Sequence, residues 1–567
     1  MLTRLQIKNF KRFPDADIEL GPVSVLCGPN NSGKTTALQA LALWQAGARA
    51  WLAERGADSK AQKRPGVQIN RRDLVSIPVP ATNLLWNRLK TREGLRVDGR
   101  SETKNIRIDI TVSGTADGGS WECGLQFDYP GQEAVYCRPL RLTEDANPER
   151  MAVPDGAAGV RVALLPAMSG LAAVEPKWEP GRIEVLIGEG QTAQILRNLC
   201  YQLWQSNDQL WAELVAHMRQ LFNIEILPPQ SITARGEITM SYRDGQTELD
   251  LSSAGRGQQQ ILLLLSYVLT HPGSTLLLDE PDAHLEILRQ RETYNLLSDV
   301  AAARGSQIIA ASHSEVVLEE AAGKHTLVAF VGKPHRIDDR GSQLKKWLSE
   351  YPISELYQAE QQGWILYLEG STDLSALSAF ARKLGHPAQD HLLRPFVTYV
   401  ANDVSRVRRH FYALREAKDD VVGVAIFDRL DNPPRDTGAT SLMWSRREIE
   451  NYLLSRDVLV RWARSGVEDD LFGHARTDSM SQAIDEVESA LRVLGKDIWS
   501  ADVKASDEVL DPIFRRFYEL TNQPLLFRKA DYHSLVDFLT EEEVDPEVQD
   551  KLDAIYQAAQ TATPRQD

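Results

Sequence analysis

The chain has 567 residues, 43% hydrophobic and 25% charged, which is too long for one ordinary core and too apolar for a wholly disordered protein. Lys and Arg total 64 against 79 Asp and Glu, a formal net charge of -15, so no global positive field draws the molecule onto nucleic acid. Any such binding must use local patches or metal ions. The four cysteines, Cys27, Cys123, Cys137 and Cys200, make no C-x-x-C pair, which excludes a structural zinc site of that kind and fits a reduced compartment.

Residues 1–30 alternate as strands do and end in the apolar run Val23–Cys27, followed by glycine. From Thr35 the pattern turns helical, with Leu38, Leu41, Ala42 and Trp44 on one stripe. A polar, basic insertion at 60–72 precedes an expected hairpin (106–112 with 121–129) and helices rich in Leu and Trp at 195–222. An apolar helix at 261–269 leads to a strand at 276–278, and another strand follows at 307–310. After a polar segment at 332–362, strands are expected at 365–368, 396–400 and 421–427, each followed by a helical stretch. This alternation predicts α/β architecture with mainly parallel sheets. The first residues lack the apolar core of a signal peptide, and no apolar run approaches the roughly 20 residues that span a bilayer, so a cytoplasmic protein without membrane contact is expected.

Gly28-Pro29-Asn30-Asn31-Ser32-Gly33-Lys34-Thr35 fits G-x-x-x-x-G-K-[ST], between a buried strand and a helix start. Such a loop turns its N–H groups and a helix N-terminus toward β/γ phosphates, with Lys34 adding charge and Thr35, followed by Thr36, a hydroxyl for Mg²⁺. Leu276-Leu277-Leu278-Asp279-Glu280 delivers two carboxylates at a strand end: Asp279 to hold Mg²⁺ and Glu280 to orient or activate water. ATP with Mg²⁺ or Mn²⁺ is the expected cofactor pair.

Three further motifs resemble those of ABC-type ATPases. Ser252-Ser253-Ala254-Gly255-Arg256-Gly257-Gln258-Gln259-Gln260 is similar to the ABC signature in the form found in RecF-like and OLD-family (overcoming lysogenization defect) ATPases. Pro281-Asp282-Ala283-His284-Leu285 resembles their D-loop, and His313 in Ala310-Ala311-Ser312-His313-Ser314 their switch histidine, which contacts the γ-phosphate. The resemblance implies that Ser253, Gly255, Gly257 and Gln258 of one subunit cover the nucleotide of another, hence a homodimer or higher assembly. Gln68 is a candidate for the Q-loop glutamine. The long interval between Lys34 and Asp279 carries no sustained heptads, which argues for a compact head without coiled-coil arms.

A second chemistry follows. Trp364-Ile365-Leu366-Tyr367-Leu368-Glu369-Gly370 and Val421-Val422-Gly423-Val424-Ala425-Ile426-Phe427-Asp428 are apolar strands that end in acids, and acids at the carboxyl ends of parallel strands can converge on divalent metal. The segment resembles a Toprim domain, whose hallmarks are Glu-Gly after the first strand and Asp-x-Asp after the third; here the second reads Asp428-Arg429-Leu430-Asp431. Arg446-Arg447-Glu448-Ile449-Glu450-Asn451-Tyr452 resembles the Glu-Ile-Glu-Asn-Tyr segment of Toprim-like nucleases coupled to such ATPases. Metal ligands are therefore expected among Glu369, Asp428, Asp431 and Glu450, with Glu448 a second choice. Lys529 is similar to the basic residue that OLD-family nucleases place near the scissile phosphate, and Arg406, Arg408, Arg409, Arg446, Arg447 and Arg528 are candidates to guide the backbone.

The resemblance implies an ABC-type ATPase domain at 1–340 with a mostly helical insertion near 140–230 that could serve dimerisation, a linker at 341–362, a Toprim-like nuclease domain at 363–557 and a flexible tail at 558–567. It also implies an ATP-regulated, metal-dependent nuclease of bacterial anti-phage defence that acts on nucleic acid, DNA ahead of RNA. A defence-system partner or a phage trigger protein would complete such a system. Two alternatives remain open: an ATPase sensor whose effector cleaves RNA such as tRNA, and a catalytically dead scaffold.

Overall fold

A computed structural model of the chain describes residues 1–56, 65–97, 100–116, 119–143, 148–338, 351–465 and 471–565. Parts of the basic insertion at 60–72 and of the linker at 341–362, and the end of the expected tail, lie outside the described residues. The chain divides into two compact units, Met1–Pro352 and Ile353–Gln566, and both mix sheets with helices.

The first unit contains two six-stranded sheets. One is antiparallel, in the order Phe13–Glu19, Leu2–Phe10, Ile108–Ala116, Gly119–Gly131, Ala134–Pro139, Val67–Asn70. The other runs Val162–Leu165, Thr275–Asp279, Gln307–Ser312, Val23–Cys27, Thr326–Ala329, His335–Arg336, and is parallel except for its last pair. The helix Lys34–Arg55 is buried along most of its length because its core joins residues of both sheets: Leu38, Leu41, Leu43, Trp44 and Trp51 share one cluster with Ile7, Phe127, Leu277 and Ile309. Trp44 stacks on Trp121 and donates its indole N–H to Cys123 O at 2.9 Å, so even its polar atom is satisfied. Gly47 lets the helix approach the antiparallel sheet: a Cβ there would lie 2.8 Å from Cys137 Sγ and 2.9 Å from Phe127.

Between the strands Val162–Leu165 and Thr275–Asp279 the chain is mainly helical (Pro180–Gly188, Leu196–Ser206, Asp208–Phe222), followed by short strands at 224–250. All four cysteines are buried thiols, and none is in a disulfide. Among the described residues no helix is long and apolar enough to cross a membrane.

The second unit is built on a four-stranded parallel sheet in the order Val397–Tyr399, Trp364–Leu368, Val422–Phe427, Thr440–Met443. Its core takes in the helices Ser371–Lys383 and Pro546–Thr561 and a helical layer from Arg456–Arg464 to Lys529–Phe538, where Trp462, Phe514, Phe527 and Tyr532 pack ring against ring. The helix Ile353–Gln362 belongs to this unit and buries Ile353, Leu356 and Tyr357. The C-terminal segment is tied down through 565: residues 558–561 complete the last helix, Lys418 Nζ donates to Thr563 O at 3.1 Å, and Arg565 N–H donates to Glu360 O at 2.8 Å.

Candidate functional site

Two places in the fold gather the chemistry, one in each unit, both at the carboxyl edge of a parallel sheet. In the first unit, register sets the geometry. Cys27 pairs with Ser312 and Ala311 with Asp279, so the strands ending before Gly28, Glu280 and His313 stop at one level. The strand Gln307–Ser312 lies between the other two and carries His313 out between the phosphate-binding loop and Glu280. His313 Nδ1 is 3.7 Å from Glu280 Oε1.

The loop is shaped to present N–H groups. Asn31 (φ 62°) and Gly33 (φ 108°) are left-handed, and a Cβ on Gly33 would lie 2.7 Å from Phe13 Cζ, so only glycine fits there. Asn30 and Asn31 are exposed, and Ser32 Oγ is buried without a hydrogen-bond partner among the described residues, an orphan of the kind a phosphate oxygen satisfies. Lys34 Nζ donates to Gly28 O at 2.7 Å and Pro29 O at 2.9 Å, and burial lowers its pKa. Thr35 Oγ1 donates to both oxygens of Asp279, at 3.1 and 3.0 Å; Thr36 is half-buried in the same turn. Thr35 and Asp279 thus already share the spot where a hydroxyl and a carboxylate would hold Mg²⁺, and burial raises the Asp279 pKa against the opposing pull of the Thr35 hydrogen bond and the Lys34 charge. Glu280 sits at φ 49°, a strained backbone for a non-glycine residue, and its N–H is fixed to Ala311 O at 2.9 Å.

The signature-like segment begins the helix Arg256–Thr270, with Gly255 N–H capped by Gln258 Oε1 at 3.1 Å. Gln260 Nε2 donates to Pro281 O at 3.3 Å, joining it to the D-loop-like turn. Ser253 and Gly255 are exposed, Gly257 half-buried. Sequence reasoning missed what holds this turn. Asp250 accepts from Ser252 N–H at 2.8 Å and lies 3.6 Å from Arg197 Nη2, while Arg197 is itself buried against Glu175 at 3.7 Å. Gln68 is exposed on an edge strand of the antiparallel sheet and donates to Asn70 at 3.1 Å.

In the second unit, Glu369 and Asp428 follow adjacent parallel strands. The two carboxyls act on each other: burial first, then Glu369, raises the pKa of Asp428, while Asp428 and then Asn402 lower that of Glu369. Asn402, at φ 59°, bridges them: its Nδ2 lies 2.8 Å from Glu369 Oε2 and 3.4 Å from Asp428 Oδ2, and its Oδ1 accepts from Asp428 N–H at 3.0 Å.

More acids surround this pair. Asp373, in the first turn of the helix Ser371–Lys383, is pushed up to about 6 by burial and accepts from Gly370 N–H at 3.2 Å. Glu450 is pushed up to about 7 by burial and then by Glu448. Glu448 accepts from Ser506 N–H, whose hydroxyl is 3.0 Å from Lys529 Nζ. The charge of Lys529 acts on Glu369, Asp373 and Glu450, and that of Lys504 on Glu369 and Glu448. Asp431 is exposed in the bend after the strand. Hard carboxylate oxygens in excess over two lysines suit a divalent cation. Among the described residues, however, no three His, Cys, Asp or Glu side chains stand close enough together to hold a metal ion, so the expected ligand set is assembled only as far as Glu369 and Asp428.

Residues 1–64 match a family model described as "AAA ATPase domain", and residues 205–319 one described as "AAA domain, putative AbiEii toxin, Type IV TA system". The two matches fall on the phosphate-binding loop and on the segment holding Ser253, Asp279, Glu280 and His313, which is the first site. A 43-residue stretch is 54% identical to the OLD nuclease of Thermus scotoductus, covering 8% of this chain and 8% of that protein. The SMC head domain from Thermotoga maritima is similar over 59% of this chain and 98% of its own, at 15% identity and TM-score 0.32. An Smc head domain with an extended coiled coil, derived from Pyrococcus furiosus, is similar over 62% and 98%, at 12% identity and TM-score 0.33. The chain is thus similar to AAA ATPase models over those two segments and to one nuclease over a short stretch.

Proposed function

We infer that the protein binds and hydrolyses ATP in its first unit and cleaves phosphodiester bonds of nucleic acid, DNA ahead of RNA, in its second, with nucleotide state governing cleavage. A homodimer or higher assembly, and a role in bacterial defence against phage, follow from the resemblance stated above. The observation that carries the nuclease half is the Glu369–Asp428 pair, bridged by Asn402 at the ends of neighbouring parallel strands. In the first unit Lys34 and the loop N–H groups would take the phosphates, Thr35 and Asp279 would hold Mg²⁺, and Glu280 with His313 would orient water toward the γ-phosphate. In the second, Glu369 and Asp428, with Glu450 drawn in, would hold Mg²⁺ or Mn²⁺, which polarises the phosphate and lowers the pKa of water. Asn402 keeps the two carboxyls in place, and Lys529 offsets negative charge at the leaving oxygen.

Plasmid DNA and total RNA incubated with and without ATP, in Mg²⁺ or Mn²⁺, test this. Cleavage by the wild type that is lost in Glu369→Ala supports it, and undiminished cleavage by Glu369→Ala refutes the site. A second reading, a scaffold that binds nucleic acid without cutting, is favoured by Leu430 in place of the second Asp-x-Asp acid and by the incomplete ligand set. Binding without cleavage in either metal would establish it. Cleavage of tRNA but not of duplex DNA would instead mark an RNA effector.

A further inference from the structure

The loop 494–503 links the helix Leu471–Val493 to the turn Ala505–Leu510 and is stapled to the second site. Arg447 N–H donates to Ala501 O at 2.8 Å, Arg429 Nη2 to Asp502 at 2.5 Å, and Asn451 Nδ2 to Val503 O at 3.0 Å. These anchors adjoin Asp428, Glu448 and Glu450 in the chain, so the loop borders the carboxylate cluster. Although it is held this firmly, the loop keeps apolar surface in solvent: Leu494 is 72% exposed and Trp499 36%, next to Val493 at the end of the preceding helix, 86% exposed. An indole that keeps part of its surface in solvent beside a polar site can offer one face of its ring.

The cations nearby divide into two classes. Arg429, Lys496 and Lys504 are committed to Asp502, Glu508 and Asp507. Arg447, next to Glu448, and Arg528, next to Lys529, are exposed and form no ion pair with a carboxylate among the described residues. An acidic site that is to accept a polyanion needs such uncommitted local charge.

We propose that Trp499 is a stacking platform for one base of a single-stranded or locally unpaired nucleic acid, with Arg447 and Arg528 on the flanking phosphates. The substrate then enters the carboxylate site as an unpaired strand, because a base inside an intact duplex has no free face to lay on the indole. This inference rests on the nuclease reading of the second unit and adds the class of substrate to it.

The test uses the full-length protein with Ca²⁺ in place of Mg²⁺. Fluorescence anisotropy reads binding of a fluorescein-labelled oligothymidine of about 20 nucleotides, alone or annealed to its complement. Trp499→Ala is expected to weaken single-strand binding by about 5- to 100-fold and duplex binding by less than about 2-fold, while Trp499→Phe stays within about 3-fold of wild type on both. Trp499→Leu, which keeps apolar volume without the aromatic face, is expected to behave like Trp499→Ala, and serves if the alanine variant melts early. Unchanged single-strand binding in Trp499→Ala or Trp499→Leu, or an equal loss on both probes, overturns the proposal while wild-type cleavage leaves the nuclease reading standing. A wild type that neither binds nor cuts either nucleic acid overturns that reading and this inference with it.

Discussion

Glu450 offers a test in which stability and activity move in opposite directions. It stands in the turn Ile449–Tyr452, 4% exposed and one residue from Glu448's neighbour Ile449, with its pKa raised from 4.5 to about 7, by burial first. Between those values the folded protein holds a proton that the unfolded chain has released. The unfolding free energy therefore falls as pH rises from about 4.5 to about 7 and stays at its lower level above that. At about 1.4 kcal/mol per pKa unit, the whole displacement costs the folded state about 3 kcal/mol at pH 8. Glu450→Gln removes the ionisation while keeping the shape, so the second unit is expected to gain about 3 kcal/mol at pH 8 and almost nothing at pH 4. For a unit of this size that is a rise of about 6–12 °C in melting temperature. Differential scanning calorimetry of the full-length protein in EDTA, at pH 5 and pH 8, reads the effect, and cleavage assays on the same preparations should show activity falling as stability rises. A wild type whose second-unit transition is flat between those pH values, or a Glu450→Gln variant that melts at or below wild type at pH 8, refutes the reasoning.

The two sites should separate genetically: Lys34→Ala abolishes ATP turnover and Glu280→Gln slows it at least about 10-fold with nucleotide still bound, whereas Glu369→Ala leaves turnover intact and removes cleavage, as read by phosphate release and plasmid nicking. Asn402 has two roles that glycine and alanine distinguish. Asn402→Gly loses the bridge to Glu369 and Asp428, about 1.5–3 kcal/mol, but tolerates φ 59°, while Asn402→Ala bears about 1 kcal/mol more from the left-handed backbone. Equal melting temperatures for the two would remove the backbone argument. Asp250→Ala removes the cap on the turn before the signature-like segment and is expected to cost about 1 kcal/mol. It should lower kcat for ATP with the nucleotide Kd unchanged, and a matching change in Kd would show that the turn acts on binding instead.

The parts of both sites that the sequence makes legible are those encoded locally. A glycine loop between an apolar strand and a helix, and acids that end the apolar runs at 276–278, 365–368 and 421–427, need only a few consecutive residues to be recognised. What the sequence hides is brought in by tertiary structure. Asn402 lies in the turn after the expected strand, Val397–Tyr399, where no motif marks it, and Asp373 reads as an ordinary first-turn helix acid. Arg197 looks like a polar residue of an amphipathic helix until Glu175 and Asp250 close around it. The short strands at 224–250, mostly beyond the expected helices, are likewise hidden, because strands of three or four residues carry too few alternations to register. The C-terminal segment shows the same limit: its terminal position predicts fraying from 558, while a helix face and the bonds at Thr563 and Arg565 hold that segment through 565.

Both sites place acids at the edge of a parallel sheet, but they balance the charge differently, and this sets their response to pH. At the first, Thr35 and Lys34 come from the same fold and already attend Asp279. At the second, Glu369, Asp373, Asp428, Glu448 and Glu450 outnumber Lys504 and Lys529, and both lysines also face Asp507. The raised pKa values of Asp428, Asp373 and Glu450 mean that protons occupy part of the place a cation would take. Binding a divalent cation must then expel protons, so apparent affinity is expected to rise with pH, by up to about tenfold per pH unit for each proton displaced. Titration calorimetry with Mn²⁺ at pH 6 and pH 8, in buffers of different ionisation enthalpy, counts the protons released. A proton count of zero with equal affinity at both pH values would mean that the cation, if it binds the second unit at all, does so away from Asp428 and Glu450.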